Sequence, residues 1–341
     1  MDKEKSHFGL APFPWQDALW QYGLQCVKQQ CLPHGIVIYG PPGVGKNHFV
    51  SVFNQRRFCL QPELLLACGK CASCHQFQAG THPDYYVLSP EDSSSIGIDR
   101  IRVLAGDLVL SSHYGLGKTA VISPAEAMTP AAANALLKTL EEPVPGTVIF
   151  LLTSQYHGLL ATVRSRCQRF VLSTPPLLLA QSWLVKQDVR AAQASLLLAL
   201  AQGSPLRALE LSQLDWLQYR DDAWQDFCKL LKAKVHPTTV ATRWLKHGIH
   251  TPLYWLNLWA VDLIRLQHSS HPPRLFNPDY REAMLELSQQ LSPRGLNVWY
   301  QQLLAATAGL KVNANEQLLM ESLLIQLKSH GQKTQFHDTR Y

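Results

Sequence analysis

At 341 residues, 46% of them hydrophobic and 16% charged, with a formal net charge of +6, the chain has a globular composition and the length for two or three cores. That composition excludes a disordered polymer, and the charge excess is too mild to argue for nucleic-acid binding by itself. The longest apolar run, residues 196–201, falls far short of the roughly 20 residues that cross a bilayer, so no membrane partner is expected. The start, Met1-Asp2-Lys3-Glu4-Lys5, is not followed by the apolar stretch of an export signal. The expectation is a cytoplasmic protein, and its eight cysteines then point to metal binding or burial and away from a disulfide framework.

In chain order, the first half alternates short apolar runs with helical spacing. Strands are expected at 35–39, 85–88, 119–122, 147–152 and 170–172, a pattern that predicts a parallel sheet flanked by helices. Thr129-Pro130 reads as a helix N-cap with proline in the first turn, and that helix should stop at Glu142 because Pro143 disfavours helical geometry before it. After Leu172 the strand signals cease. Ser173-Thr174-Pro175-Pro176 reads as a linker into helical patterns, giving an α/β core over 1–172, a small helical domain over 173–213, an all-helical domain over 214–332 and a frayed tail at 333–341. Ser269-Ser270-His271-Pro272-Pro273 and Ser292-Pro293-Arg294-Gly295 are expected turns within the third region.

Gly40-Pro41-Pro42-Gly43-Val44-Gly45-Lys46 lies between an expected strand and an expected helix, the context in which backbone N–H groups and a lysine cradle nucleotide phosphates. Gly40, Gly43 and Gly45 suit a loop that needs positive φ angles and close backbone approach. Asn47 follows where a Ser or Thr hydroxyl would hold Mg²⁺, and a neutral amide is a poorer ligand. Hydrolysis also needs acids after a neighbouring strand, one for Mg²⁺ and one for the attacking water. Here that strand runs into Ser123-Pro124-Ala125-Glu126, where Ser123 and Pro124 can do neither job and Glu126 comes late. The expectation is a retained P-loop scaffold without hydrolysis, with ATP occupancy of the loop left open.

Cys59, Cys68, Cys71 and Cys74 fall within sixteen residues. Tetrahedral Zn²⁺ takes four thiolates, and two-residue gaps let one knuckle present successive sulfurs to one ion. A closed shell of four thiolates is structural, and it leaves His75 without a ligand role. Nothing nearby suggests the electron transfer of an iron–sulfur cluster. Cys26, Cys31, Cys167 and Cys228 read as small core residues.

Residues 131–143, Ala-Ala-Ala-Asn-Ala-Leu-Leu-Lys-Thr-Leu-Glu-Glu-Pro, and 159–167, Leu-Leu-Ala-Thr-Val-Arg-Ser-Arg-Cys, closely resemble the subunits of bacterial sliding-clamp loaders, a branch of the AAA+ ATPase family. The cysteine cluster resembles the zinc module of that family, and residues 79–86 resemble its relatively rigid, non-hydrolysing subunit more than the gamma/tau motors. The resemblance implies an AAA+ P-loop core, a helical lid and an all-α collar. It implies assembly with gamma/tau and delta subunits to load the sliding clamp onto primed DNA for the DNA polymerase III holoenzyme. DNA would be contacted through the assembled complex, and nucleotidyl transfer would belong to another subunit. By the same resemblance Arg166, in Ser165-Arg166-Cys167, would act as an arginine finger on a neighbour's ATP, Ser154 would lie near the sensor position, and Arg207 would be a second, displaced sensor. Two other readings differ in class. A self-sufficient P-loop ATPase of the gamma/tau type is opposed by Asn47, Ser123 and Pro124; a zinc-dependent DNA-binding module is opposed by the sparse basic residues Arg56, Arg57 and Lys70.

Overall fold

The computed structural model describes residues 9–91, 95–213, 216–310 and 315–331, so the expected tail at 333–341 lies outside the described residues. Contacts divide the chain into two units, Met1–Leu179 and Ala180–Tyr341. Among the described residues no helix is long and apolar enough to cross a membrane.

In the first unit a 3₁₀ turn (Pro14–Gln16) leads into α1 (Asp17–Lys28), β1 (Gly35–Tyr39), α2 (Lys46–Phe58), α3 (Ala72–Ala79), β2 (Tyr85–Leu88), α4 (Ile98–Val109), β3 (Thr119–Ile122), α5 (Pro130–Glu141), β4 (Val148–Thr153), α6 (Ala161–Arg164) and β5 (Gln168–Val171). The strands form one sheet in the order β2-β3-β4-β1-β5, parallel throughout. This is the α/β P-loop core expected of the AAA+ class. Every residue of β3 and β4 is buried, as helices on both faces require, which is why these strands read as unbroken apolar runs. Strand alternation sends Ile36 and Ile38 into one core with Trp20, Phe49, Phe53 and Phe150, and Val37 into the other with Leu104, Ile122, Leu136 and Leu151.

β5 begins at Gln168, two residues before the apolar run that predicted it. It is the sheet edge, pairing Ile36 with Gln168 and Val37 with Arg169, and exposed edge positions accept polar side chains. α5 starts as expected: Thr129 Oγ1 accepts from Ala132 N at 3.2 Å with Pro130 in the first turn, and Glu142 is the C-cap. The parallel register brings the carboxyl ends of β1, β3 and β4 to one edge, Tyr39 beside Thr153 and Ile122 beside Leu151. The loop after β1, Ser123 and Ser154 therefore emerge together, at the edge where α/β sheets bind ligands. Arg166 precedes β5 and lies at the opposite, amino-terminal edge.

The boundary between the units falls within α7 (Leu177–Val185). The second unit continues with α8 (Ala191–Leu200), α9 (Pro205–Gln213), α10 (Trp216–Leu231), α11 (Pro237–Trp244), α12 (His250–His268), α13 (Arg281–Gln290), α14 (Pro293–Gly309) and α15 (Glu316–Gly331). Helical spacing aligns Trp255 with Trp259 on α12, and Trp224, Phe227, Trp244 and Trp299 join them in a buried aromatic cluster. Each such ring contributes several kcal/mol, since truncating a buried Trp or Phe to Ala costs about 3–5 kcal/mol. Fully buried Asp262 accepts from Phe276 N (3.0 Å), Asn277 N (2.7 Å) and Asn277 Nδ2 (2.9 Å), which clamps the expected Pro-rich turn after α12. The other expected turn is instead a helix start: Ser292 Oγ accepts from Gly295 N at 3.3 Å with Pro293 in the first turn of α14. Ser-Pro serves turns and helix N-termini alike, and only the chain beyond it separates them.

Candidate functional site

The loop after β1 has the glycine geometry of a phosphate cradle, with φ of +75° at Gly43 and +83° at Gly45. Its lysine and several of its carbonyls are nevertheless engaged from within the chain. Lys46 Nζ donates to Gly40 O at 2.7 Å and Pro41 O at 2.9 Å. Burial lowers its pKa, and the charge of Glu126 partly opposes that shift. Gln16, fully buried, donates from Nε2 to Val44 O (3.1 Å) and Gly45 O (2.9 Å) while its Oε1 accepts from Phe13 N (3.0 Å). Trp15 Nε1 also donates to Val44 O, at 3.0 Å. The segment before α1 thus packs on the loop.

Two of the glycines are needed by this packing. A Cβ on Gly40 would lie 1.9 Å from Leu172 O, and one on Gly45 would lie 2.6 Å from the Phe13 ring. The positions that would hold Mg²⁺ are also paired with each other: Ser123 Oγ donates to Asn47 Oδ1 at 2.9 Å. Neither brings a negative charge, so the pair cannot supply the acidic groups that phosphoryl transfer uses.

Glu126 is the residue that sequence reasoning set aside and folding brings back. A 3₁₀ turn (Ala125–Ala127) returns its carboxylate to the end of β4, where Oε1 accepts from Ser154 N at 3.2 Å and Oε2 is buried without a hydrogen-bond partner. Ser154 is therefore tied through its backbone to the acid whose charge acts on Lys46. Linear distance along the chain hid this, because the turn reverses direction within three residues. Arg207, on α9, ion-pairs with Glu210 at 2.9 Å and lies over the rings of Trp216 and Tyr254 at 5.5 and 5.4 Å.

At the opposite edge of the sheet, Arg166 follows the short α6. Its Nη1 donates to Thr162 O at 3.0 Å, a carbonyl at the helix end that also accepts from Ser165 Oγ at 3.0 Å, and to Ser165 Oγ itself at 3.4 Å. Its Nη2 pairs with Glu141 Oε1 at 2.5 Å, with the two side chains 36% and 48% exposed. The neighbouring Cys167 supports this turn from inside, its thiol pushed up to about 12 by burial. The turn packs tightly on β1: a Cβ on Gly35 would come within 3.0 Å of Cys167 Sγ and 3.2 Å of Arg166 O.

The four cysteines converge at the far end of α2. Cys59 is its C-cap, Cys71 caps α3 and Cys74 lies in the first turn of α3. Their sulfurs all lie within 4.8 Å of one another, with Cys59–Cys68 at 3.5 Å and Cys68–Cys74 at 4.0 Å. Tetrahedral bonds of ~2.3 Å set sulfurs about 3.8 Å apart, so the group can hold a metal ion. Burial opposes ionisation of Cys71, yet amide hydrogen bonds from Cys74 and Leu60 hold its thiol down at about 6. Cys68 is lowered by the backbone amides of Lys70 and Cys71. Two members are thus biased toward the thiolate that binds metal. His75 is exposed and outside the sulfur group.

The knuckle is fastened to the sheet by a buried relay. Asp84 N donates to His82 Nδ1 at 3.2 Å, which leaves the ring proton on Nε2 to bond Ser73 Oγ (3.1 Å), whose own proton goes to Phe58 O (2.7 Å). Serine, histidine and aspartate meet here without making a nucleophile, because the serine proton is committed to a carbonyl and the aspartate bonds His113 N and Tyr114 N. The nearby basic residues are also engaged within the chain. Arg57 donates to Thr119 Oγ1 (2.7 Å) and Gly146 O (2.6 Å), Arg56 to Leu64 O (3.0 Å), and Lys70 pairs with Glu63 at 2.9 Å.

Fold and site together define an AAA+-type P-loop protein whose loop lysine is held by its own loop carbonyls and which carries a four-cysteine knuckle. A family model described as DNA polymerase III, delta subunit, matches residues 15–176, and one described as DNA polymerase III, delta subunit, C terminal, matches residues 214–329. The DNA polymerase III subunit delta' of Pseudomonas aeruginosa is 34% identical over 325 residues, 93% of this chain and 97% of that protein. That of Escherichia coli is also 34% identical, over 88% of this chain and 90% of the relative. The Bacillus subtilis subunit tau matches at 31% over 142 residues, 42% of this chain and 25% of its own length. The chain belongs to the family of DNA polymerase III delta' subunits.

Proposed function

We propose that the chain is the non-hydrolysing stator of a clamp loader, assembling with gamma/tau and delta subunits to place the sliding clamp on primed DNA. The observation that carries this reading is the contrast between the two sheet edges. At the P-loop edge Lys46 turns to its own loop and Asn47 pairs with Ser123; at the other edge a partly exposed arginine is held in place. A subunit of that kind has little means to hydrolyse its own ATP and the means to assist a neighbour. A guanidinium fork suits phosphate oxygens and can stabilise charge developing in γ-phosphoryl transfer, which is the finger role assigned to Arg166. Zn²⁺ on Cys59, Cys68, Cys71 and Cys74 stabilises the knuckle. Residues 173–213 serve as the lid, and 214–332 as the collar that holds the assembly.

The test is reconstitution with purified gamma/tau and delta subunits. Arg166→Ala should assemble normally by size-exclusion chromatography yet lower DNA- and clamp-stimulated ATP hydrolysis and slow clamp loading. Arg166→Lys should rescue poorly, because an ammonium lacks the fork. Unchanged hydrolysis and loading in an intact complex would refute the finger. The rival reading, a self-sufficient ATPase, predicts turnover on the order of 1 s⁻¹ from the isolated chain. The stator predicts none.

A further inference from the structure

We propose that Glu141 is the positioning residue for Arg166, a role that rests on the finger reading of that arginine. Glu141 is the last residue of α5, where the negative end of the helix dipole disfavours a carboxylate. Helix stability gives no reason for an acid there. Its ion pair among the described residues is with Arg166, at 2.5 Å. The other terminal nitrogen of the same guanidinium is held by Thr162 O and Ser165 Oγ. The ends of two elements therefore hold the guanidinium at two nitrogens, α6 at Nη1 and α5 at Nη2. Among the described residues Nε and the second hydrogen of Nη2 have no protein partner.

The grip is well founded and reversible. Leu140, next to Glu141, is buried in the sheet core. A Cβ on Gly35 would meet Leu140 Cδ2 at 3.1 Å as well as Cys167 and the Arg166 backbone, so the end of α5 and the arginine turn close on one tightly packed point. The ion pair itself is partly exposed, and pairs of that kind orient side chains without locking them. A phosphate arriving from a neighbouring subunit can share the guanidinium without first breaking a buried contact. Glu141 thus limits the rotamers the arginine samples before it engages.

The full chain with Glu141→Ala or Glu141→Gln, reconstituted with gamma/tau and delta subunits, tests this beside Arg166→Ala. Glu141→Ala should reduce kcat for stimulated ATP hydrolysis at the site Arg166 serves by about three-fold, the scale of one exposed ion pair. KM for ATP should not move, and assembly should be intact. Glu141→Gln should keep most of the rate, because the amide oxygen still accepts from Nη2. A purely structural role for Glu141 would instead lower assembly or thermal stability in both variants. The proposal is overturned if Glu141→Ala matches or exceeds the wild-type rate while Arg166→Ala is slow. If Arg166→Ala is itself unimpaired, the finger reading falls first and takes this one with it.

Discussion

Helix α2 carries a ligand-type motif at each end, and the two ends are satisfied in opposite ways. At its N-terminus the P-loop lysine, amide and carbonyls bond to the protein itself, through Gly40, Gln16 and Ser123. At its C-terminus four sulfurs face one another, two of them biased toward the anion. Sulfurs this close favour a cation once ionised, whereas the loop's lysine and several of its carbonyls already have partners in the chain. A motif therefore argues for a ligand only when its polar atoms have nowhere else to go.

Removing a ligand-facing sulfur should have the largest effect on this contrast. Cys59→Ser or Cys74→Ser should release about one equivalent of zinc and unfold the knuckle, because the binding energy of a structural site is folding energy. Elemental analysis and thermal melting follow both. Wild-type protein free of zinc after purification without chelators would erase the difference between the two ends. The sign with pH is also fixed: ligand sulfurs bind as thiolates and protons compete with the metal for them, so acidification should promote zinc loss, read with a chromophoric chelator.

The next effect belongs to the other end of α2. Gly40→Ala places a Cβ 1.9 Å from Leu172 O and should cost about 3 kcal/mol in denaturant unfolding, with no rescue by added ATP. A variant of wild-type stability would mean that this glycine serves a nucleotide and not the packing of the sheet. Smaller still, Gln16→Ala removes three hydrogen bonds made by a fully buried amide and should cost about 1–3 kcal/mol. Should ATP bind Gln16→Ala markedly better than wild type, the self-satisfied loop would prove to be a barrier and not merely a scaffold.

The sequence by itself determined the parallel sheet, the P-loop, the missing acids and the four-cysteine set. Each is written in local signals: buried strands are apolar without interruption, glycines mark the loop, and ligand spacing is short-range. The amino edge of the sheet was legible only in part, since Ser165-Arg166-Cys167 marked the arginine but nothing in its neighbourhood named a partner. Tertiary structure alone decided that Glu141, twenty-five positions earlier, lies against Arg166, that Glu126 turns back to Ser154, and that Gln16 enters the P-loop. It also moved the start of β5 and converted the second expected turn into the beginning of α14. The physical reason is common to all of these. A polar side chain has several possible partners, and which one it meets depends on elements packed together from distant parts of the chain, information that no local pattern contains.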